Sequence, residues 1–258
     1  MDRTSLGNRM KEYERASQSN LTKRLPVIIR IDGKAFHTFT RDLKKPFDDL
    51  FLTAMHETAY ELLTQIAGCR LAYTQSDEIS LLLINYEHLN TDPWFKNTIQ
   101  KLVSIAASLT TITFYKKFTE QVKFYKMEHP EDERYYNTLM KKVESNPIFD
   151  ARVFVLPKEE VCNYFIWRQQ DCVRNSILSM GQYYIGNKAI EGKSCGEVCE
   201  LLRETEHPYE SIHSEHQKGF TVYTIENEDL GKKQCMFGYG MDFAEKRNVI
   251  QNIVNTGE

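Results

Sequence analysis

The sequence predicts an α+β fold whose core has ferredoxin-like, βαββαβ connectivity, and three observations carry that prediction. Residues 27–32 (Val27-Ile28-Ile29-Arg30-Ile31-Asp32) are rich in β-branched side chains, the composition of a buried strand. Two further β-rich segments, 69–74 and 79–85, are separated only by Gln75-Ser76-Asp77-Glu78, too few residues for a helical crossover, so they form an antiparallel hairpin. Stretches with apolar residues at every third and fourth position flank the hairpin, and a last strand follows at 149–156. Strand, helix, hairpin, helix, strand is the split βαβ arrangement. In that topology the first strand is central and ends beside the hairpin tip, which brings Asp32 and Asp77 together.

Each element has its own signal. Leu6, Met10 and Tyr13 recur at helical spacing among alternating charges, predicting an amphipathic helix over 5–18. A polar linker with Pro26 leads into the first strand, and after Gly33 a basic loop runs to Pro46. From Asp48 or Asp49, either of which can cap, the residues Leu50, Phe51, Met55, Ala59, Leu62, Leu63 and Ile66 mark a helix that Gly68 ends. After Asp92-Pro93 a second long helix is expected over 94–118, with Ile99, Leu102, Val103, Ala106, Leu109 and Thr113 in one stripe. Residues 119–147, charged and Tyr-rich with prolines at 130 and 147, read as an exposed excursion. Beyond Pro157 a helical pattern covers 158–186, and a shorter helix follows near 195–204. A polar stretch with His207, His213 and His216 then precedes strand-like pieces at 219–225 and 234–239. The expected division is a catalytic core of 1–157 and a helical-plus-strand extension of 158–258, either separate or sharing one core.

Composition bounds the function. With 258 residues, 41% hydrophobic and 12% aromatic, the chain can bury one large core or two modest ones. A net charge of −3 neither requires nor excludes a nucleic-acid partner, because charge can be segregated locally. The polar start of the chain and the lack of an apolar run long enough to span a bilayer predict a soluble, cytoplasmic protein without a membrane partner. The six cysteines lack zinc-ligand spacing and are expected as reduced thiols, Cys195 and Cys199 on one helix face.

The chemistry centres on Asp32-Gly33 and Asp77. A carboxylate followed by a residue without a side chain places a charge and an approachable carbonyl at one point, which suits magnesium. Two aspartates at facing strand ends can hold two divalent ions, one lowering the pKa of an attacking hydroxyl and the other stabilising a leaving pyrophosphate. Phosphoryl and nucleotidyl transfer need little more than positioning and cations. Lys34 and Lys45 lie in the loop after Asp32, and Lys96 and Lys101 are expected in the first turns of the helix after the hairpin, where a helix N-terminus favours phosphate. Residue types alone leave an ordinary turn at Asp32-Gly33 and an ordinary hairpin tip at Asp77-Glu78 equally open. His37 either caps its loop or touches a phosphate, and the cap is favoured; Ser76 bonds a phosphate or the hairpin backbone. The three C-terminal histidines are expected as solvated polar residues. Tyr164, Phe165 and Trp167 are expected in the core rather than as base-stacking platforms.

Resemblance resolves the choice. Arg30-Ile31-Asp32-Gly33-Lys34-Ala35-Phe36-His37-Thr38-Phe39, Lys45-Pro46 and Tyr73-Thr74-Gln75-Ser76-Asp77-Glu78-Ile79-Ser80 resemble motifs of the tRNA-histidine guanylyltransferase family. So do Trp94-Phe95-Lys96, Phe149-Asp150-Ala151-Arg152-Val153, Trp167-Arg168-Gln169-Gln170-Asp171-Cys172 and Lys218-Gly219-Phe220-Thr221-Val222, in order along the chain. The resemblance implies a polymerase-palm core and 3′→5′ nucleotide addition at a tRNA 5′ end, activated by adenylylation with ATP or already triphosphorylated. It implies two Mg2+ ions held by Asp32, Asp77 and the Gly33 carbonyl. It implies nucleotide contacts from Lys34, Ala35, Phe36, His37 and Ser76, with Lys45 and Lys101 facing the triphosphate. Its expected partners are tRNA, GTP, ATP and other NTPs, and its expected assembly is a homotetramer. Eukaryotic members that add guanosine to tRNA-histidine carry a His-Ile-Asn-Asn-Leu-Tyr-Asn-type motif after Asp-Cys. This chain reads Val173-Arg174-Asn175-Ser176-Ile177-Leu178-Ser179 there and keeps only Asn175, taken as nucleotide-binding. That departure is similar to the guanylyltransferase-like branch, which repairs 5′-truncated tRNAs by templating. Guanosine addition to tRNA-histidine, nucleotide cyclisation on a palm and an RNA-binding module with a degenerate site are the alternatives.

Overall fold

The computed structural model describes residues 4–227 and 232–256. Six strands, Val27–Gly33 (β1), Cys69–Gln75 (β2), Glu78–Leu83 (β3), Phe149–Val155 (β4), Phe220–Asn227 (β5) and Lys232–Tyr239 (β6), form one antiparallel sheet in the order β4-β1-β3-β2-β5-β6. The helices are Ser5–Ala16 (α1), Phe36–Phe39 (α2), Asp49–Gln65 (α3), Ile99–Glu128 (α4), Glu133–Glu144 (α5), Lys158–Tyr184 (α6), Asn187–Ile190 (α7), Cys195–Arg203 (α8), Ser214–Lys218 (α9) and Arg247–Val254 (α10). The first four strands with α3 and α4 reproduce the expected βαββαβ order, and β5 and β6 continue the same sheet beyond β2.

Period-two alternation gives the sheet two unlike faces. Val27, Ile29, Ile31, Ala72, Ile79, Leu81 and Leu83 face α3 and α4, whose Ala54, Met55, Ala59, Leu62, Ala106, Phe114 and Phe118 complete an apolar core. Ile28, Leu71, Tyr73 and Leu82 face α6 and α10 through Val161, Tyr164, Phe165, Ile250 and Ile253. Asp48 caps α3, its carboxylate accepting from the Phe51 amide at 3.0 Å. Gly68 follows with a φ of +79°, where a Cβ would stand 2.9 Å from the Ile84 carbonyl oxygen, so glycine is needed at this turn.

Four features depart from the expectations or add to them. Residues 119–147 are not an exposed excursion: α4 continues to Glu128 and α5 follows, because Phe118, Val122, Leu139 and Val143 extend the buried stripe onto the core. Lys96 lies outside the long helix, in a 3-10 turn at Trp94–Asn97. α10, for which no expectation existed, is held by Ile250, Ile253 and Val254. The N-terminal helix forms, but Leu6, Met10 and Tyr13 all face solvent. The six cysteines are free thiols, as expected.

Candidate active site

β1 and β2 run parallel with β3 between them, so the end of β1 and the β2–β3 turn meet at one end of the sheet. Asp32 is in register with Glu78 on one side and Asp150 on the other, and the Gly33 amide donates to the Asp77 carbonyl at 3.2 Å. The predicted pair is therefore assembled. A Cβ on Gly33 would stand 2.4 Å from the Phe36 ring, so glycine here lets that ring seal the core under the site. Ser76 occupies the turn at a φ of +49°, and its hydroxyl donates to the Asp77 carboxylate at 3.2 Å.

Burial, and secondarily the charge of Asp32, push the Asp77 carboxyl up to about 6. A second carboxylate nearby raises the cost of ionising a buried one when no cation stands between them. Among the described residues no three His, Cys, Asp or Glu side chains group closely enough to cage a metal. That donor set fits magnesium, which needs one or two carboxylates and takes its other ligands from a carbonyl, water and substrate phosphates.

Arg168 is the residue that sequence reasoning passed over. Its Nε and Nη2 donate to the two Glu78 carboxylate oxygens at 2.7 and 2.8 Å, and Nη2 also donates to Asp171 at 2.8 Å. Both side chains of the Arg168–Glu78 pair are only 8% exposed. Burial works to strip the guanidinium of its charge, but the Glu78 hydrogen bonds hold its pKa above the ordinary value. Asp171 in turn pairs with Arg174 and accepts from Asn175 at 3.4 Å. The signal was present: Arg168 falls on the buried stripe of α6 with Val161, Tyr164, Phe165 and Cys172, and a charge on such a stripe demands a partner. Gln169 beside it donates to the Lys218 and Met241 carbonyls and accepts from the Phe243 amide, tying α6 to the segments around β5 and β6.

A cavity of about 190 Å³ opens on the β2 side of the turn. Lys45, Ser76 and Asn175, all predicted as nucleotide-binding, line it together with Lys44, Ser179 and His216. Lys34, Ala35 and His37 lie exposed in the loop after Asp32, Ala35 at a φ of +57° and His37 against the Thr38 hydroxyl at 3.0 Å. Phe36 is buried among Phe39, Phe51, Phe114 and Phe149, so only its backbone can meet a ligand. Lys101 does not join the site within the chain. β3 runs away from the Ser76-Asp77 turn to end beside Val27, and α4 starts at that far end, where Gln100 bonds the Ser17 carbonyl. The reach of α4 back to the site end comes near Thr111, which accepts from the Phe149 amide. His216 is not solvated: it stacks on Phe47 with centroids 4.5 Å apart. His207 and His213 are exposed as expected, His207 with its ring stacked on Tyr184 at 4.0 Å. Trp167 is not core: it is 51% exposed, whereas Tyr164 and Phe165 are buried as expected.

A strand-end carboxylate pair beside a cation-lined cavity, on an antiparallel sheet backed by two helices, defines a palm-like nucleotide-handling core. Residues 7–157 match the family described as Thg1, tRNAHis guanylyltransferase, and the chain belongs to that family. It is 30% identical to the tRNA(His) guanylyltransferase of Debaryomyces hansenii over 87% of this chain and 84% of that one. A bacterial tRNA(His) guanylyltransferase (Thg1)-like protein solved in complex with ATP is 32% identical, covers 98% of this chain and 100% of its own, and superposes with a TM-score of 0.81. The GTP complex of such a bacterial protein shares the same identity and coverage at a TM-score of 0.73.

Proposed function

We propose that the protein is a template-dependent 3′→5′ nucleotidyltransferase that adds nucleotides to the 5′ ends of truncated tRNAs, each end carried as a 5′-adenylylate or a 5′-triphosphate. The observation that carries this reading is the Asp32–Asp77 pair opening beside a cavity lined by Lys45, Ser76 and Asn175. Family membership supports addition at a tRNA 5′ end, and the ATP- and GTP-bound relatives support both nucleotides as ligands. The α6 segment favours templated repair over a dedicated tRNA-histidine enzyme. Its contribution to the cavity wall is Cys172, Asn175, Ser176 and Ser179, small side chains that leave base choice to pairing with the tRNA.

Two magnesium ions held by Asp32, Asp77 and the Gly33 carbonyl would lower the pKa of the attacking 3′-hydroxyl and stabilise the departing pyrophosphate. Lys45 and the Ser76 hydroxyl meet phosphate oxygens, Lys34 and His37 flank them from the exposed loop, and Asn175 orients the nucleotide. The Arg168 guanidinium offsets the charge of Glu78, the register partner of Asp32. No described helix is long and apolar enough to cross a membrane, and a tRNA substrate supports the reading of a cytoplasmic location. Assembly as a homotetramer gives Lys101, remote from the site of its own subunit, a role at a neighbour's triphosphate.

The test is an addition assay with 5′-truncated tRNAs, each NTP and magnesium. Template-matched addition to several tRNAs is the expected result; guanosine added only to tRNA-histidine, or a cyclic nucleotide product, overturns it. Mixing inactive Asp77→Ala and Lys101→Ala subunits should restore addition if Lys101 serves a neighbour's site.

A further inference from the structure

Trp167 stands half out of the protein in the middle of α6, yet its ring is held. The Arg168 guanidinium carbon lies 4.4 Å from the ring centroid, that of Arg30 lies 5.8 Å away, and Tyr164 meets the ring edge-on at 6.0 Å. Arg168 is locked by Glu78 and Asp171, and Arg30 sits on β1 two residues before Asp32, on the same face of the sheet. The indole is thus tied to the strand that carries the first carboxylate. Arg30 forms no ion pair among the described residues, and its register partner on β4 is Arg152, whose nearest carboxylate, Asp150, is 3.9 Å away. This flank lies on the β1–β4 side of the Asp32–Asp77 pair, whereas the cavity with Lys45 and Ser76 lies on the β2 side.

From this arrangement we infer that Trp167, backed by Arg30, is the platform on which the unpaired 5′-terminal base of the RNA substrate stacks, across the carboxylate pair from the incoming nucleotide. The inference rests on the proposed function and deepens it. A half-exposed indole held against guanidiniums suits an unpaired base, because stacking tolerates every base and the guanidiniums both polarise the ring and meet phosphate. One half-exposed ring with Tyr164 buried behind it fits a terminal base and not a long single strand. Phosphate on that base would approach Arg30 and Arg152 and point toward Asp32 and Asp77.

The sequence has two tryptophans, so in a Trp94→Phe background Trp167 is the sole indole fluorophore. Titration with a 5′-truncated tRNA should quench it, and a tRNA whose 5′ end is fully paired should quench it far less. Trp167→Ala should raise the KM for truncated tRNA about tenfold or more while the KM for NTP stays within about twofold, and Trp167→Phe should keep most of the affinity. An unchanged tRNA KM in Trp167→Ala, equal quenching by the fully paired end, or quenching by NTP alone overturns the assignment. If the unaltered protein adds nothing to any tRNA, the proposed function fails, and the quenching titration still decides the role of Trp167.

Discussion

On β1, Val27, Ile29 and Ile31 point toward α3 and α4, while Ile28, Arg30 and Asp32 point toward α6. The same strand therefore serves two surfaces. The α3–α4 face is dry along its whole length, ending on Phe36 and Phe149 beneath the site. The α6 face starts dry at Ile28, Leu71 and Leu82 and becomes polar toward the site, where Ser80 meets the Tyr164 hydroxyl at 2.7 Å and Glu78 meets Arg168. Burial without charge gives one face its stability; the other spends part of its burial on polar groups that must each find a partner. The difference teaches that the end of the sheet carrying Asp32 and Asp77 is backed by aromatics on one face and met by a buried salt bridge on the other.

The comparison can be broken in order of effect. Asp77→Asn removes the charge on which several kcal/mol of transition-state stabilisation rests, so nucleotide addition should fall on the order of a thousandfold. Its melting temperature should not fall, since the raised carboxyl is costly to bury ionised. An active Asp77→Asn enzyme would dismiss the metal assignment. Arg168→Ala strands Glu78 as a buried unpaired charge and should cost about 3–5 kcal/mol in urea unfolding. Replacing both partners, Glu78→Leu with Arg168→Met, should recover most of that stability but not the activity, because the turn carrying Asp77 loses its tie to α6.

On the dry face, Leu81→Ala should cost about 2–5 kcal/mol, with kcat of the folded fraction nearly unchanged. A large fall in its kcat would show that the two faces are not separable. His56 on α3 gives the smallest and most conditional effect. Its ring stacks on Phe220 at 4.2 Å, its Nε2 is buried without a hydrogen-bond partner, and burial first, then the charge of His216, lowers its pKa to about 4. The imidazole stays neutral in the folded chain and takes up a proton once unfolded. Its stabilisation is therefore fully present above pH 6.5 and drains away as pH falls toward about 4, by at most about 3 kcal/mol. Denaturant midpoints from pH 7 to 4 should decline less steeply in His56→Gln than in the unaltered protein.

Much of the site could be read before any coordinates. Asp32, Asp77, Ser76, Lys45 and Asn175 were named from strand ends, turn chemistry and motif, and one end of the sheet with its adjoining cavity gathers them. Residues 119–147 were misjudged because charge and proline hid a stripe, Phe118 and Val122 then Leu139 and Val143, whose burial only the packed core makes worthwhile. Lys101 stands in the first turn of α4 as expected, but sequence order does not tell which end of the sheet α4 starts from.

Alternation and turn spacing by themselves determined the βαββαβ order of the first four strands, β1 between two neighbours and the meeting of its last carboxylate with the β2–β3 turn, since these follow from local backbone preference and chain connectivity; that β5 and β6 extend the same sheet beyond β2 did not. Tertiary structure alone decided that Arg168 pairs with Glu78, that Trp167 stands half-exposed against two guanidiniums and that Lys101 stands at the far end. Those outcomes depend on how α6 and α4 lie against the sheet, and a helix's rotation and direction are set by the sum of its packing contacts, which no local stretch of sequence contains.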